Sequence, residues 1–172
     1  NPNWWHNEIG RPMSYGNIAL MMFPFLYEDV FNGLVKLVRN GSMAAKYDRI
    51  CGWTGANLIW GAINTIRHAL LTEDEELFSL AVHRAEQEIV IGNEDGIQQD
   101  GCFFQHGARV YSGGYGLSYA YDLATISYIL QGTKHQFKKE KLNILLFYIL
   151  DGIRFMMHKG YFDYSGIGRN FS

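Results

Sequence analysis

His106 and Tyr115 stand nine positions apart, in Gln105-His106-Gly107 followed by Tyr111-Ser112-Gly113-Gly114-Tyr115-Gly116. An imidazole exchanges a proton near neutrality, and a phenol, once ionised, is a strong base, so the pair suits general acid–base work on a single substrate atom. The small residues between them let backbone approach closely, and Tyr115 stands at an expected helix start. The spacing alone is weak, because a loop histidine commonly serves surface hydrogen bonding.

Three other segments add candidates. Asn57, in Thr54-Gly55-Ala56-Asn57, falls in the first turn of an expected helix, where its amide can project into a cleft or merely cap the turn. Arg169 follows Ser165-Gly166-Ile167-Gly168 in a Gly-rich tail, and Trp4-Trp5 are paired aromatics near the start. Gln105 and Arg109 flank His106 and are candidate substrate-binding residues. The same loop holds Glu94, Asp95 and Asp100, carboxylates of the kind that glycoside hydrolysis needs in pairs. Cys51 and Cys102 lie far apart and fit neither a disulfide framework nor a zinc pattern. No metal or other cofactor is expected.

Helices must position these groups. Apolar residues from Ile18 to Val38 recur at helical spacing, but Pro24 removes a backbone donor and splits the run. The second half is expected from about Leu26 to Arg39, stopping at Asn40-Gly41. Thr54 would cap a helix from Gly55 to Leu71, with Ala56, Ile59, Trp60, Ile63 and Ile66 in period. Thr72, ahead of four acids, would cap another reaching roughly Ile91. Gly92 to Gly114 breaks the pattern, and a loop of this length in a compact domain is usually functional or mobile. Helices are expected again over Tyr115–Gln131 and Lys138–Lys159. With no strand-like alternation of comparable length, the chain reads as all-α, built of antiparallel helical hairpins in a single domain over residues 1–172.

Composition bounds the function. With 48% apolar and 19% charged residues the chain should fold around a core, and 15% aromatic content, mostly core, leaves rings for stacking on sugar faces. A net charge of −2 gives no global field for a polyanion, so nucleic acid is not an expected partner and an acidic ligand must be held by local cations. The longest uncharged runs, Pro12–Tyr27 and Cys51–Ile66, each have 16 residues and are broken by polar, Pro or Gly positions, so no membrane span is expected. The opening residues carry no basic and apolar leader pattern.

Taken together the set resembles polysaccharide lyase family eight, which includes hyaluronate, chondroitin AC and xanthan lyases. The matching pieces, in the family's order, are Asn3-Trp4-Trp5 with Glu8-Ile9-Gly10, then Thr54 to Asn57, Asp100-Gly101 through Gln105-His106, Tyr111 to Gly116, and Asp163 with Gly168-Arg169. The resemblance implies an incomplete α/α toroid, continuous in complete enzymes with C-terminal β-sandwich domains, and a secreted or periplasmic setting. It implies that Asn57 neutralises a uronate carboxylate, that His106 and Tyr115 are the catalytic histidine and tyrosine, that Arg169 is the first of two arginines near that tyrosine, and that Trp4 and Trp5 hold the sugar chain. The family's second arginine would fall beyond Ser172. His6 stands where relatives often have an acid, and Cys51 where some have an aromatic.

The reaction implied is β-elimination on an acidic polysaccharide. A proton leaves C5 of a uronate, the C4–O4 bond breaks and an unsaturated sugar results. Abstraction beside a carboxylate piles up negative charge, and an amide donor at that group is worth about 3 to 4 kcal/mol. A free phenol ionises near pH ~10, so a phenolate base needs a neighbouring cation, the place implied for Arg169. Two other functions remain open on the sequence: a glycoside hydrolase using the loop carboxylates, and a non-catalytic carbohydrate-binding fragment.

Overall fold

The computed structural model describes residues 3–169. The chain divides into two compact units, Asn1–Trp53 with Trp60–Arg84, and Thr54–Ile59 with Ala85–Ser172. Among the described residues seven α-helices supply most of the structure, so the all-α class holds, with two short antiparallel ladders added.

In the first unit, α1 (Arg11–Met22) and α2 (Glu28–Arg39) form a hairpin. The break between them is a short 3-10 turn at Phe23–Phe25 holding Pro24, and α2 starts two residues later than the sequence suggests, with Glu28 and Asp29 in its first turn and Lys36 and Arg39 in its last. Those charges complement the helix dipole at both ends. Ser42 caps α3 (Met43–Cys51), its Oγ accepting from Ala44 N at 3.1 Å. The later part of α4 (Gly55–Thr72) is pinned by buried polar groups: Thr65 Oγ1 accepts from Met43 N at 3.0 Å, and Asn64 Nδ2 donates to Ile9 O at 3.1 Å. Ile9, Ala19, Val38, Ile50 and Ala62 are fully buried in this unit.

Thr72 is not a helix cap. It is the last residue of α4, and its hydroxyl donates back to His68 O at 2.9 Å. Glu73 then turns left-handed (φ 55°), and Asp74 Oδ1 accepts from Leu77 N to cap α5 (Glu75–Gln87). The helix ends at Gln87, short of the expected Ile91.

His68 gives this unit a pH-sensitive point. Its ring is 6% exposed with Nδ1 3.4 Å from Ser42 Oγ, and burial, with Arg39 second, holds its pKa below the ordinary 6.5 while Asp74 opposes. The unfolded chain therefore binds the proton more readily than the folded one. The stability held by the neutral ring is full above pH 6.5 and is lost as pH falls from there through the folded-state value. Urea midpoints should drop between about pH 7.5 and about pH 5.5, and drop less in His68→Gln. Equal drops in the two proteins would remove His68 from this role.

The second unit begins with the first turns of α4 and continues with α6 (Leu117–Leu130) and α7 (Lys139–Phe147). Phe103 is at its centre, 4.9 Å from Tyr119 and 5.7 Å from Tyr148 between ring centroids, and all three are fully buried. The Tyr119 hydroxyl donates to Glu88 O at 2.9 Å, and the buried Glu86 accepts from Lys138 N at 2.6 Å, at the start of α7. α7 does not run on to Lys159. It widens to a π-type turn at Tyr148–Gly152, where Gly152 leaves helical geometry (φ −107°, ψ −85°) and packs backbone to backbone on Gly101. A side chain at either glycine would part them. The chain then forms β3 (Met157–His158) and β4 (Tyr161–Phe162).

The expected loop is also ordered by a ladder. β1 (Gly96–Ile97) pairs antiparallel with β2 (Phe103–Phe104), and Phe104 bridges to Val110. Strands this short leave no alternating pattern in a sequence. No helix among the described residues is long and apolar enough to cross a membrane.

Candidate active site

Four segments of the second unit build the site: the start of α4, the ladder that carries His106, the π-type turn Ser112–Gly116 ahead of α6, and the tail that ends at Arg169. Gly55 opens α4 in a left-handed conformation (φ 56°), and a Cβ there would collide with the Gln105 amide. The helix start is not capped by Thr54. Gly55 N donates to Glu88 Oε1 at 2.5 Å and Ala56 N to Gln105 Oε1 at 3.1 Å, while the Thr54 hydroxyl donates to Asp95 Oδ2 at 2.8 Å. Tertiary partners have taken the place of the local cap.

Gln105, expected as a substrate contact, is turned into the protein. It is 1% exposed, and its amide is committed to the protein: Oε1 to Ala56 N, Nε2 to Thr54 O at 3.3 Å and to Asp95 Oδ2 at 2.8 Å. That inward turn sends the next side chain, His106, outward. His106 is exposed and left-handed (φ 62°), a conformation that costs a non-glycine residue of order 1 kcal/mol unless its surroundings hold it. Asp95 supplies the hold on both flanks, accepting from the Gln105 amide on one side and from Gly107 N at 2.9 Å on the other.

The second ring comes from the π-type turn, anchored where Ser112 Oγ accepts from Phe103 N at 3.0 Å. His106 Nε2 lies 3.1 Å from the Tyr115 hydroxyl. Arg169 Nη2 donates to the same hydroxyl at 3.3 Å. Asp163 Oδ1 accepts from Ser165 N at 2.9 Å and caps the short turn that leads the tail to Arg169. Tyr111, 7% exposed, stands edge-on behind the pair, its ring centroid 5.2 Å from that of Tyr115 and 6.3 Å from that of His106. Three residues from positions 106, 115 and 169 thus meet at one oxygen. That oxygen has one proton to give: with Arg169 donating to it, it can donate to His106 Nε2 when the imidazole carries its proton on Nδ1.

Asn57, one residue past the Ala56–Gln105 bond, is 8% exposed, and its Oδ1 is buried with no hydrogen-bond partner among the described residues. A buried unpaired amide oxygen costs about 1–3 kcal/mol and calls for an explanation. Arg109 is exposed; its backbone closes the turn, its N–H donating to Gly107 O at 2.6 Å and its C=O accepting from Gln105 N at 3.2 Å. Of the loop acids, Asp95 has both oxygens engaged as above, and Asp100 Oδ1 accepts from Cys102 N at 2.9 Å. Among the described residues no cluster of three or more His, Cys, Asp or Glu side chains is placed to hold a metal ion.

In the first unit, Trp4 and Trp5 each rest on another tryptophan. Trp4 is 42% exposed and tilted on Trp53 at 5.6 Å, and Trp5 meets Trp60 edge-on at 5.6 Å. His106, Tyr115 and Arg169 stand out in the sequence by motif and spacing; Asp95 as a clamp, Glu88 as the cap of α4 and Tyr111 as the supporting ring do not. Asp95 and Glu88 had no sequence signal, since their partners lie 10 to 41 residues away. Tyr111 was inside the matching motif and only its role was unread.

Known proteins share this architecture. Over 174 aligned residues the chain is 29% identical to the chondroitinase AC of Pedobacter heparinus, covering 99% of this chain and 24% of that protein. It is 28% identical to the xanthan lyase of a Bacillus species over 161 residues, covering 92% of this chain and 17% of that one. A solved chondroitinase AC lyase superposes with a TM-score of 0.88 at 28% identity, over 98% of this chain and 25% of that one. The chain therefore spans about a quarter or less of the length of these relatives. The model of the N-terminal α-helical domain of polysaccharide lyase family 8 matches residues 1–172, and the chain belongs to that family.

Proposed function

We propose that this domain carries the acid–base face of a polysaccharide lyase that cleaves a uronic-acid-containing polysaccharide by β-elimination. The observation that carries the reading is the Tyr115 hydroxyl, which faces His106 Nε2 at 3.1 Å and receives Arg169 Nη2 at 3.3 Å. A phenol between a proton acceptor and a cation has what a phenolate base requires: His106 takes the proton, and Arg169 stabilises the charge left on oxygen. Tyr115 then accepts the C5 proton as the C4–C5 double bond forms and the C4–O4 bond breaks, and returns that proton to O4. One residue serves both steps when C5–H and O4 lie on the same sugar face. For a uronate of opposite C5 configuration, His106 is the base.

Asn57 is the group for the uronate carboxylate. An amide whose oxygen has no protein partner can turn its NH2 toward an incoming anion, and charge that develops on the carboxylate during abstraction strengthens the bond. Trp4, with its exposed indole, and Trp5 offer stacking surface for sugar rings, and the exposed Arg109 offers a cation to the polymer's acidic groups. Gln105 and Asp95 hold the loop. With both Asp95 oxygens and Asp100 Oδ1 committed, the pair of acids needed for hydrolysis is poorly served, which favours elimination. A polymeric substrate of this kind favours a secreted or periplasmic enzyme.

The test is incubation with hyaluronan, chondroitin sulfate and xanthan while following the ultraviolet absorbance of the unsaturated uronate. Growth of that absorbance is expected on at least one polymer. New reducing ends without it would mean hydrolysis. Binding without turnover would reduce the domain to a carbohydrate-binding role.

A further inference from the structure

Glu8 in the first unit joins two cations for which the elimination chemistry has no use. Its Oε2 accepts from Arg49 Nε at 2.6 Å, and its Oε1 lies 3.3 Å from Lys46 Nζ. The Glu8 side chain is 16% exposed, against 51% for Arg49 and 34% for Lys46. The carboxylate is sheltered while both cations reach solvent, so the local surface is positive. On one side, the Arg49 guanidinium carbon is 6.0 Å from the centroid of the Trp4 ring. On the other, Glu8 and Lys46 line a cavity of about 270 Å³ together with Asn7, Arg11, Pro12 and Asn40.

The lining is mixed in a way that fits a substituted sugar better than a bare anion. Asn7 and Asn40 offer amides to ring hydroxyls, the exposed Leu37 offers an apolar face, and Arg11 and Lys46 offer charge-assisted donors to an acidic group. Arg11 is already steadied, its Nη1 donating to Asn7 Oδ1 at 3.0 Å, so less side-chain entropy is lost on binding. Glu8, which lines the cavity, also bonds to Arg49, the residue beside Trp4.

We propose that this cavity is a saccharide subsite, which takes an acidic sugar residue, carboxylated or sulfated, of the same polymer that stacks on Trp4. The inference rests on the acidic-polysaccharide reading above, and it adds a place in the first unit, built of residues that take no part in the proton transfer, where the polymer's charge is read. Binding there lengthens the segment of polymer that is gripped without entering the chemistry.

The experiment titrates the protein with hyaluronan and chondroitin sulfate oligosaccharides of increasing length, and with carboxyl-reduced, desulfated counterparts, by calorimetry. Affinity should step up once an oligosaccharide is long enough to reach from Trp4 to the cavity. An Arg11→Gln, Lys46→Gln double variant, at two solvent-accessible positions and checked by circular dichroism, should lose that step, about tenfold in affinity, and bind short oligosaccharides as before. Trp4→Ala should weaken both lengths, and the neutral oligosaccharides should show no step. A step with both polymers, or with hyaluronan alone, identifies the carboxylate as the group read; a step with the sulfated chain alone identifies the sulfate. A step that survives in the double variant, or no step in the parent, overturns the subsite and leaves the elimination reading standing. Failure of the parent to bind any acidic oligosaccharide overturns both.

Discussion

Replacing Tyr115 by Phe should lower turnover by roughly 10²–10⁴-fold, the range for loss of a positioned general acid–base group, while the affinity for the polysaccharide stays nearly unchanged. The ring that remains still packs edge-on against Tyr111 and His106, so the site keeps its shape. What disappears is the oxygen that His106 and Arg169 share. On the proposed elimination that oxygen acts on C5–H and O4 and not in holding the polymer, so the loss belongs in kcat and not in KM. Steady-state rates from the unsaturated-uronate absorbance, paired with calorimetric binding, separate the two. Retained turnover would take Tyr115 out of the base role; lost binding with proportionate loss of rate would make it a substrate-holding residue.

The sequence was most legible where local chemistry decides the outcome. Pro24 does interrupt the helical run, because a missing donor acts on the backbone around it, and α2 stops at Arg39 ahead of Asn40-Gly41, where Gly41 leaves room for the Glu8 carbonyl and Pro12. Caps were less legible. Thr54 and Thr72 are favourable cap residues by type, yet the Thr54 hydroxyl goes to Asp95 across 41 residues and the α4 amides go to Gln105 and Glu88. The competitors are long-range and leave no mark near residue 54. The ends of α5 and α7 moved for the same kind of reason, α7 because Gly152 must meet Gly101.

At the site, residue identities were legible through spacing and motif, and side-chain direction was not. Gln105 and His106 are adjacent, but one is 1% exposed and the other open to solvent, a division made by the Asp95 clamp and the ladder around Phe103. A two-residue strand sets which neighbour points inward, and nothing in composition reports it. Asp95 was therefore visible only as one more loop acid, beside Glu94 and Asp100.

Asp95 is consequently where the elimination and hydrolysis readings part. If it positions His106, Asp95→Ala removes the acceptor of Thr54 Oγ1, Gln105 Nε2 and Gly107 N together. His106 is then free to leave its left-handed conformation and drift from Tyr115, and displacement by about 1 Å costs on the order of 10²-fold in rate. Stability should fall by about 2 kcal/mol from the lost bonds to the carboxylate. Asp95→Asn should recover part of the rate, since its amide oxygen can still accept from Gly107 N, and whatever product both variants make should keep its unsaturated end. A hydrolase would respond differently. There the carboxylate itself moves the proton or attacks, the amide is as damaging as alanine, and the product carries an ordinary reducing end. Comparing the two variants by product absorbance, reducing-end assay and the NMR signal of the His106 ring separates a residue that holds the base from one that is the base. Equal losses in Ala and Asn with the His106 signal unmoved would refute the clamp.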